Sequence, residues 1–143
     1  MTGAGRGIGK GIALALAEAG ADVVINDRPG SPDLESAAEE IRQSGRLCTP
    51  VEADAFSREG CEQLAEQAGD LDILVSNPAF SRRETFLDYP PELFEQTLQG
   101  TLLGGFHISQ LVARKMVERG DGGKILFISS VQAEMPIARC VAY

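Results

Sequence analysis

Thr2-Gly3-Ala4-Gly5-Arg6-Gly7-Ile8-Gly9 places a glycine at every second position and runs without a break into a segment of helical period. This run constrains the chain more than any other. Glycines let backbone N–H groups approach a phosphate with no Cβ in the way, and the N-terminus of the following helix adds positive potential. The spacing is Gly3-x3-Gly7-x-Gly9, which departs from the GxGxxG of other dinucleotide folds. A P-loop is the rival phosphate binder. It fails because Ala4 and Gly11 stand where that motif needs glycine and a magnesium-binding hydroxyl.

Downstream, apolar runs of strand length alternate with helical segments, the pattern of βαβ units and a parallel sheet. Ile8, Ile12, Leu16 and Ala19 form the expected stripe of a first helix that ends near Gly20. Val23-Val24-Ile25 reads as a buried strand. Ser31 then caps a helix that has Pro32 at its first position and Leu34, Ala37, Ala38 and Ile41 as its apolar face. Residues 47–51 give the next strand. Ser57 caps a third helix whose inner face is Cys61, Leu64, Ala65 and Ala68. Residues 72–75 form another strand, a polar loop follows to about Pro91, a long helix spans about 92–118, and residues 124–128 form a last strand. No repeat or low-complexity tract interrupts this order, so residues 1–143 read as one domain.

A net charge of −8 argues against nucleic acid, because phosphate binding needs a basic surface. No window approaches the apolar length of a membrane span, and Met1-Thr2-Gly3 opens with no basic and apolar secretion signal. Three scattered cysteines and a single histidine offer no zinc pattern. Free thiols in a reducing cytoplasm are the expectation.

TGxxxGIG at Thr2–Gly9 resembles the glycine motif of the short-chain dehydrogenase/reductase family, and further marks follow in order. The resemblance implies a Rossmann-type doubly wound parallel sheet with helices on both faces, here incomplete at both ends. It implies cofactor contacts from Gly3, Arg6, Gly7, Ile8 and Gly9, and from Asp27 at the end of the second family strand, where a carboxylate holds the adenosine ribose. A carboxylate there repels a 2′-phosphate and favours NAD over NADP, although Arg6 and Arg28 leave NADP open. Asp54 matches the residue that hydrogen-bonds adenine, with the Ala55 backbone beside it; read without the family, Asp54 is equally a turn or helix cap.

The family's catalytic Ser stands thirteen residues before its catalytic Tyr, which selects Ser130 and Tyr143. A Tyr hydroxyl trades a proton with the reacting oxygen, and a Ser hydroxyl orients that oxygen. A free phenol titrates near pH ~10; the family lowers this with a Lys four residues later, beyond residue 143. Leu74-Val75-Ser76-Asn77-Pro78-Ala79 resembles the family's LVNNAG, keeping Asn77 for the cofactor side but introducing Pro78. Thr101 stands where the family has the Asn of its proton relay, which implies slower proton delivery or another route. His107, beside it, reads as a packed structural residue. The resemblance further implies a small alcohol or ketone substrate and a homotetramer or homodimer built on the long helix, with Gly100, Gly104 and Gly105 permitting close approach. Met135, Pro136 and Ile137 are candidates for one wall of a substrate pocket.

The family's first strand and the part after the Tyr are not among these residues, so the chain reads as a fragment, inactive alone, with two half-sheets in place of one. A dinucleotide-binding scaffold without turnover is the alternative, and a lyase or dehalogenase on the same scaffold is a weaker third.

Overall fold

A computed structural model describes residues 1–143. The expected alternation is present: α1 (Gly7–Glu18), β1 (Val23–Asp27), α2 (Leu34–Gln43), β2 (Cys48–Glu52), α3 (Arg58–Ala68), β3 (Ile73–Ser76), α4 (Pro91–Leu98), α5 (Gly104–Arg119) and β4 (Lys124–Phe127). A π-helical turn, Gln99–Leu103, joins α4 to α5, and a short 3₁₀ turn, Val131–Ala133, follows β4. No helix is long and apolar enough to cross a membrane.

The strands form two parallel pairs, β1 with β2 and β3 with β4. Alternate residues of β1 feed opposite faces. Val23 and Ile25 pack with Ala13, Ala17, Ala38 and Ile41 under α1 and α2, whereas Val24 borders a second core of Leu64, Leu74, Ile108, Val112 and Met116 under α3 and α5. Helices thus cover both faces, as a doubly wound fold requires. Between β1 and β3 lies only the run Met1–Ala4, bent at Gly3. Asn26 N–H donates to Met1 O (2.9 Å), Ala4 N–H to Asn26 O (2.8 Å) and Thr2 N–H to Val75 O (3.1 Å), so this run touches both pairs.

Three local expectations are corrected. The buried face of α1 is Gly9, Ala13 and Ala17, not the stripe Ile8, Ile12, Leu16 and Ala19. The helix lies so close to its neighbours that only small residues fit beneath it, and Ile8 is left 71% exposed. Ser31 does not cap α2, which begins at Leu34; its hydroxyl donates to Asp27 Oδ2 instead (3.0 Å). The long helix is interrupted at Gln99–Leu103, where a Cβ on Gly100 would overlap the Phe56 ring and one on Gly104 the Ala55 carbonyl. These glycines, with Gly105 against Phe127 and Ser76, serve close packing within the chain. Ser57, by contrast, caps α3 as expected, accepting from Gly60 N–H at 2.9 Å.

The Met1 nitrogen donates to Val24 O (2.8 Å), a further tie of this run to β1.

Candidate functional site

The glycine-rich run forms an open cradle. Helix α1 begins at Gly7 with no capping side chain, and its first backbone bond is Lys10 N–H to Arg6 O (3.3 Å). The N–H groups of Gly7, Ile8 and Gly9 precede that bond and have no helical acceptor. Gly7 has a φ of +59°, and nothing stands within 4 Å of where its Cβ would be. Open space, free donors and a helix N-terminus are what a pyrophosphate accepts.

The cradle is tied to β3 from below. Thr2 Oγ1 donates to Val75 O (3.4 Å) and accepts from Asn77 N–H (3.1 Å). Asn77 Nδ2 donates to Thr2 O (3.3 Å) and Gly3 O (3.1 Å). Asn77 holds the cradle through its Nδ2 and, as expected for a residue on the cofactor side, also lines the cavity below. Gly9 meets the same knot, where an added Cβ would overlap Gly3 O and sit 2.8 Å from Asn77 Nδ2.

The ends of β1 and β2 supply the charged part of the site. Asn26, 1% exposed, directs Nδ2 at Asp27 O (3.1 Å), Val51 O (3.1 Å) and Ala53 O (3.0 Å), locking the two strand ends together. Asp27 Oδ1 accepts from Arg28 N–H (2.8 Å) and Oδ2 from Ser31, with Gly5 packed against that oxygen. Asp54 Oδ1 accepts from Phe56 N–H (3.0 Å), so the turn-capping role holds for it. Ala55 O accepts from Cys61 Sγ (3.4 Å), which anchors this loop to α3. Burial, with the Asp54 charge second, pushes the Cys61 thiol up to about 11.

On the other side, β4 leads through Ile128, whose N–H donates to Ser76 O (2.9 Å), into Ser129 and Ser130. Ser130 Oγ accepts from Gln132 N–H (3.2 Å) and caps the 3₁₀ turn. The segment leading to Tyr143 is fastened to the β3–α4 loop by Glu84 N–H to Arg139 O (2.9 Å) and by an Arg139–Glu84 ion pair of 3.3 Å. A bond from Thr85 N–H, then Arg139, holds the Glu84 carboxyl below its usual range. Thr101 makes no hydrogen bond to Ser130 or Tyr143. Its Oγ1 donates to Phe80 O (3.2 Å) and accepts from Phe80 N–H (3.4 Å). His107 is half-buried with Nδ1 unpartnered, its ring tilted against Phe106.

These groups surround one cavity of about 1110 Å³. From the cradle it is lined by Gly3, Arg6 and Ile8, from the strand ends by Asp27, Arg28, Asp54 and Ala55, and from the far side by Asn77, Ser130 and Tyr143. Gly7, Gly9 and Thr101 lie outside its lining, as do Met135, Pro136 and Ile137. Ten of the twenty lining residues lay outside the sequence candidates, Asn26, Phe56, Phe80 and Val131 among them. The available signal was position, since each sits at or just past the C-terminal end of a strand, where ligands of parallel sheets collect.

A sequence profile described as "short chain dehydrogenase" matches residues 1–143. The chain belongs to that family. Among short-chain dehydrogenases and their kin, it is 37% identical over 147 residues to "Probable oxidoreductase EphD" of Mycobacterium bovis, covering all of this chain and 25% of that protein. It is 35% identical to L-xylulose reductase of Mesocricetus auratus, covering 57% of that protein. A solved structure of 7 alpha-hydroxysteroid dehydrogenase complexed with NADH and 7-oxo glycochenodeoxycholic acid superposes with a TM-score of 0.92 at 37% identity, over 99% of this chain and 56% of that one. The chain thus spans between a quarter and rather more than half of these relatives.

Gly9→Ala will force the cradle off Gly3 and Asn77. The expected loss is about 1–3 kcal/mol of stability, read as a lowered denaturant midpoint, whereas Gly11→Ala, with open space at its Cβ, will not lower it.

Proposed function

We propose that the protein containing this chain is an NAD(P)-dependent oxidoreductase acting on a small alcohol or carbonyl compound. One observation carries this reading: a single cavity joins the uncapped start of α1 and the Asp27 and Asp54 carboxylates to Ser130 and Tyr143. The free N–H groups of Gly7, Ile8 and Gly9 suit a pyrophosphate, Asp27 the adenosine ribose, and the Asp54–Ala55 turn the adenine edge. The dinucleotide would accept or give hydride when bound.

Everything else falls to side chains of this chain. Ser130 Oγ spends a lone pair on Gln132 N–H, which leaves its own O–H to donate to the substrate oxygen. Tyr143 gives a proton to that oxygen in reduction or takes one in oxidation. Asp27 holds both its oxygens in fixed directions through Arg28 N–H and Ser31, and its charge opposes a 2′-phosphate, so NAD is the proposed cofactor over NADP. Exposed apolar side chains at four-residue spacing on the long helix, Phe94, Leu98, Leu102 and Phe106, support self-association into a dimer or tetramer. Three unpaired thiols support a cytoplasmic location.

A second reading, a dinucleotide-binding scaffold with impaired turnover, is favoured by Thr101, whose hydroxyl is committed to Phe80 and so offers no proton relay.

With the full-length protein, Tyr143→Phe will lower kcat for secondary-alcohol oxidation by about 10²–10⁴-fold while NADH affinity, read by fluorescence titration, stays within about twofold. Equal kcat in both proteins sinks the assignment of Tyr143, and no turnover by the wild type with an intact NADH titration favours the scaffold. Asp27→Ala will shift the NAD-over-NADP preference toward NADP by about tenfold or more; an unchanged ratio of kcat/KM refutes the proposed role of Asp27.

A further inference from the structure

We infer that Phe80, fixed in place by Thr101, selects an apolar, ring-bearing alcohol or ketone at this site; the inference rests on the oxidoreductase reading above. The cavity divides by chemistry. Its charged side chains, Arg6, Asp27, Arg28 and Asp54, all come from the start of α1 and the ends of β1 and β2. The residues that arrive with Ser130 and Tyr143, from the β3–α4 loop and the end of β4, are Pro78, Ala79, Phe80, Ile128, Ser129 and Val131. None of these is charged, and the Asn77 Nδ2 nearby is already spent on Thr2 O and Gly3 O.

Among these residues a polyol or sugar would find side-chain partners at Ser129, Ser130, Tyr143 and Asn77 Oδ1, and any hydroxyl turned to Pro78, Ala79, Phe80, Ile128 or Val131 would meet an apolar side chain. Desolvated, unpaired hydroxyls count heavily against binding. An anionic group would meet no cation among these residues, because Arg139 is turned to Glu84 outside the cavity lining. A flat apolar ring finds the Phe80 ring and Val131, 74% exposed, within that lining.

Phe80 can act as a selector because it is held. The loop from Asn77 to Pro90 has no helix or strand of its own, and Phe86 and Leu87 on it are 78% and 92% exposed. Phe80 is half-buried, with its N–H and its C=O both engaged by the one hydroxyl of Thr101. That hydroxyl sits on the π-helical turn, so the irregular turn that breaks the long helix also sets the position of the aromatic ring. Thr101 is thereby a positioning residue, acting through Phe80.

The test uses the full-length protein, with NADH and NADPH binding read first by fluorescence and then kcat/KM for cyclohexanone, butanone and an aldose. The expected wild-type preference is cyclohexanone over the aldose by at least about tenfold, and Phe80→Ala will lower the cyclohexanone-to-butanone ratio by about tenfold. Phe80→Leu will recover part of that ratio, and Thr101→Val, which keeps the shape but frees the loop, will lower it in the same direction. Preference for the aldose, or an equal loss for both ketones in Phe80→Ala, overturns the inference while leaving the cofactor reading intact. A wild-type protein that binds neither NADH nor NADPH brings down the oxidoreductase reading, and the inference with it.

Discussion

The two strand pairs share one frame because four residues at the start of the chain are hydrogen-bonded to both. Met1 and Ala4 exchange backbone bonds with Val24 and Asn26 on one side, and Thr2 reaches Val75 on the other. Each such bond contributes only about 1 kcal/mol net, yet together they set the distance between β1 and β3. Chain order makes that gap decisive. From β1 the chain winds outward to β2, and from β3 it winds to β4 in the opposite sense, so the crevice at their C-terminal ends is a topological switch point. The cavity opens there, and the glycine-rich run lies across its floor.

Small residues are the second requirement. Gly9, Ala13 and Ala17 bring α1 down onto its neighbours, and the same closeness fixes the height of its first turn, whose Ile8 lines the cavity. Larger residues would raise the helix, and the donors with it. On the opposite face Gly60 lies against the Asp54 backbone and Gly100 and Gly104 against Phe56 and Ala55, so the wall after β2 is also shaped by what is missing from side chains.

Features encoded by neighbouring residues were legible in the sequence. Ser57 caps α3 because its partner is three residues away, and Asp54 closes its turn on Phe56 for the same reason. The order of strands and helices and the two-pair sheet followed from periodicity and from the family's strand order. What was not legible depends on distant contacts. The buried face of α1 is set by how near the helix lies to Gly3, which hydrophobic spacing does not express. Ser31 had an acceptor in Asp27 that outcompeted the helix end. Thr101 suited a proton relay by motif alone, and only the folded loop shows its hydroxyl closed on Phe80, 21 residues upstream.

The side-chain amide of Asn26 gives the two walls of the cavity different mechanical characters. It fastens the ends of β1 and β2 through three carbonyls from a buried position, so the wall bearing Asp27 and Asp54 moves as one body. The wall bearing Phe80, Ser130 and Tyr143 hangs on a clasp at Thr101 and on exposed links between Glu84 and Arg139, a pattern of low local stability. Amino-acid changes on the yielding wall can therefore accumulate without disturbing the rigid one. A chain so divided can vary one side of its cavity over evolutionary time while the other stays as it was.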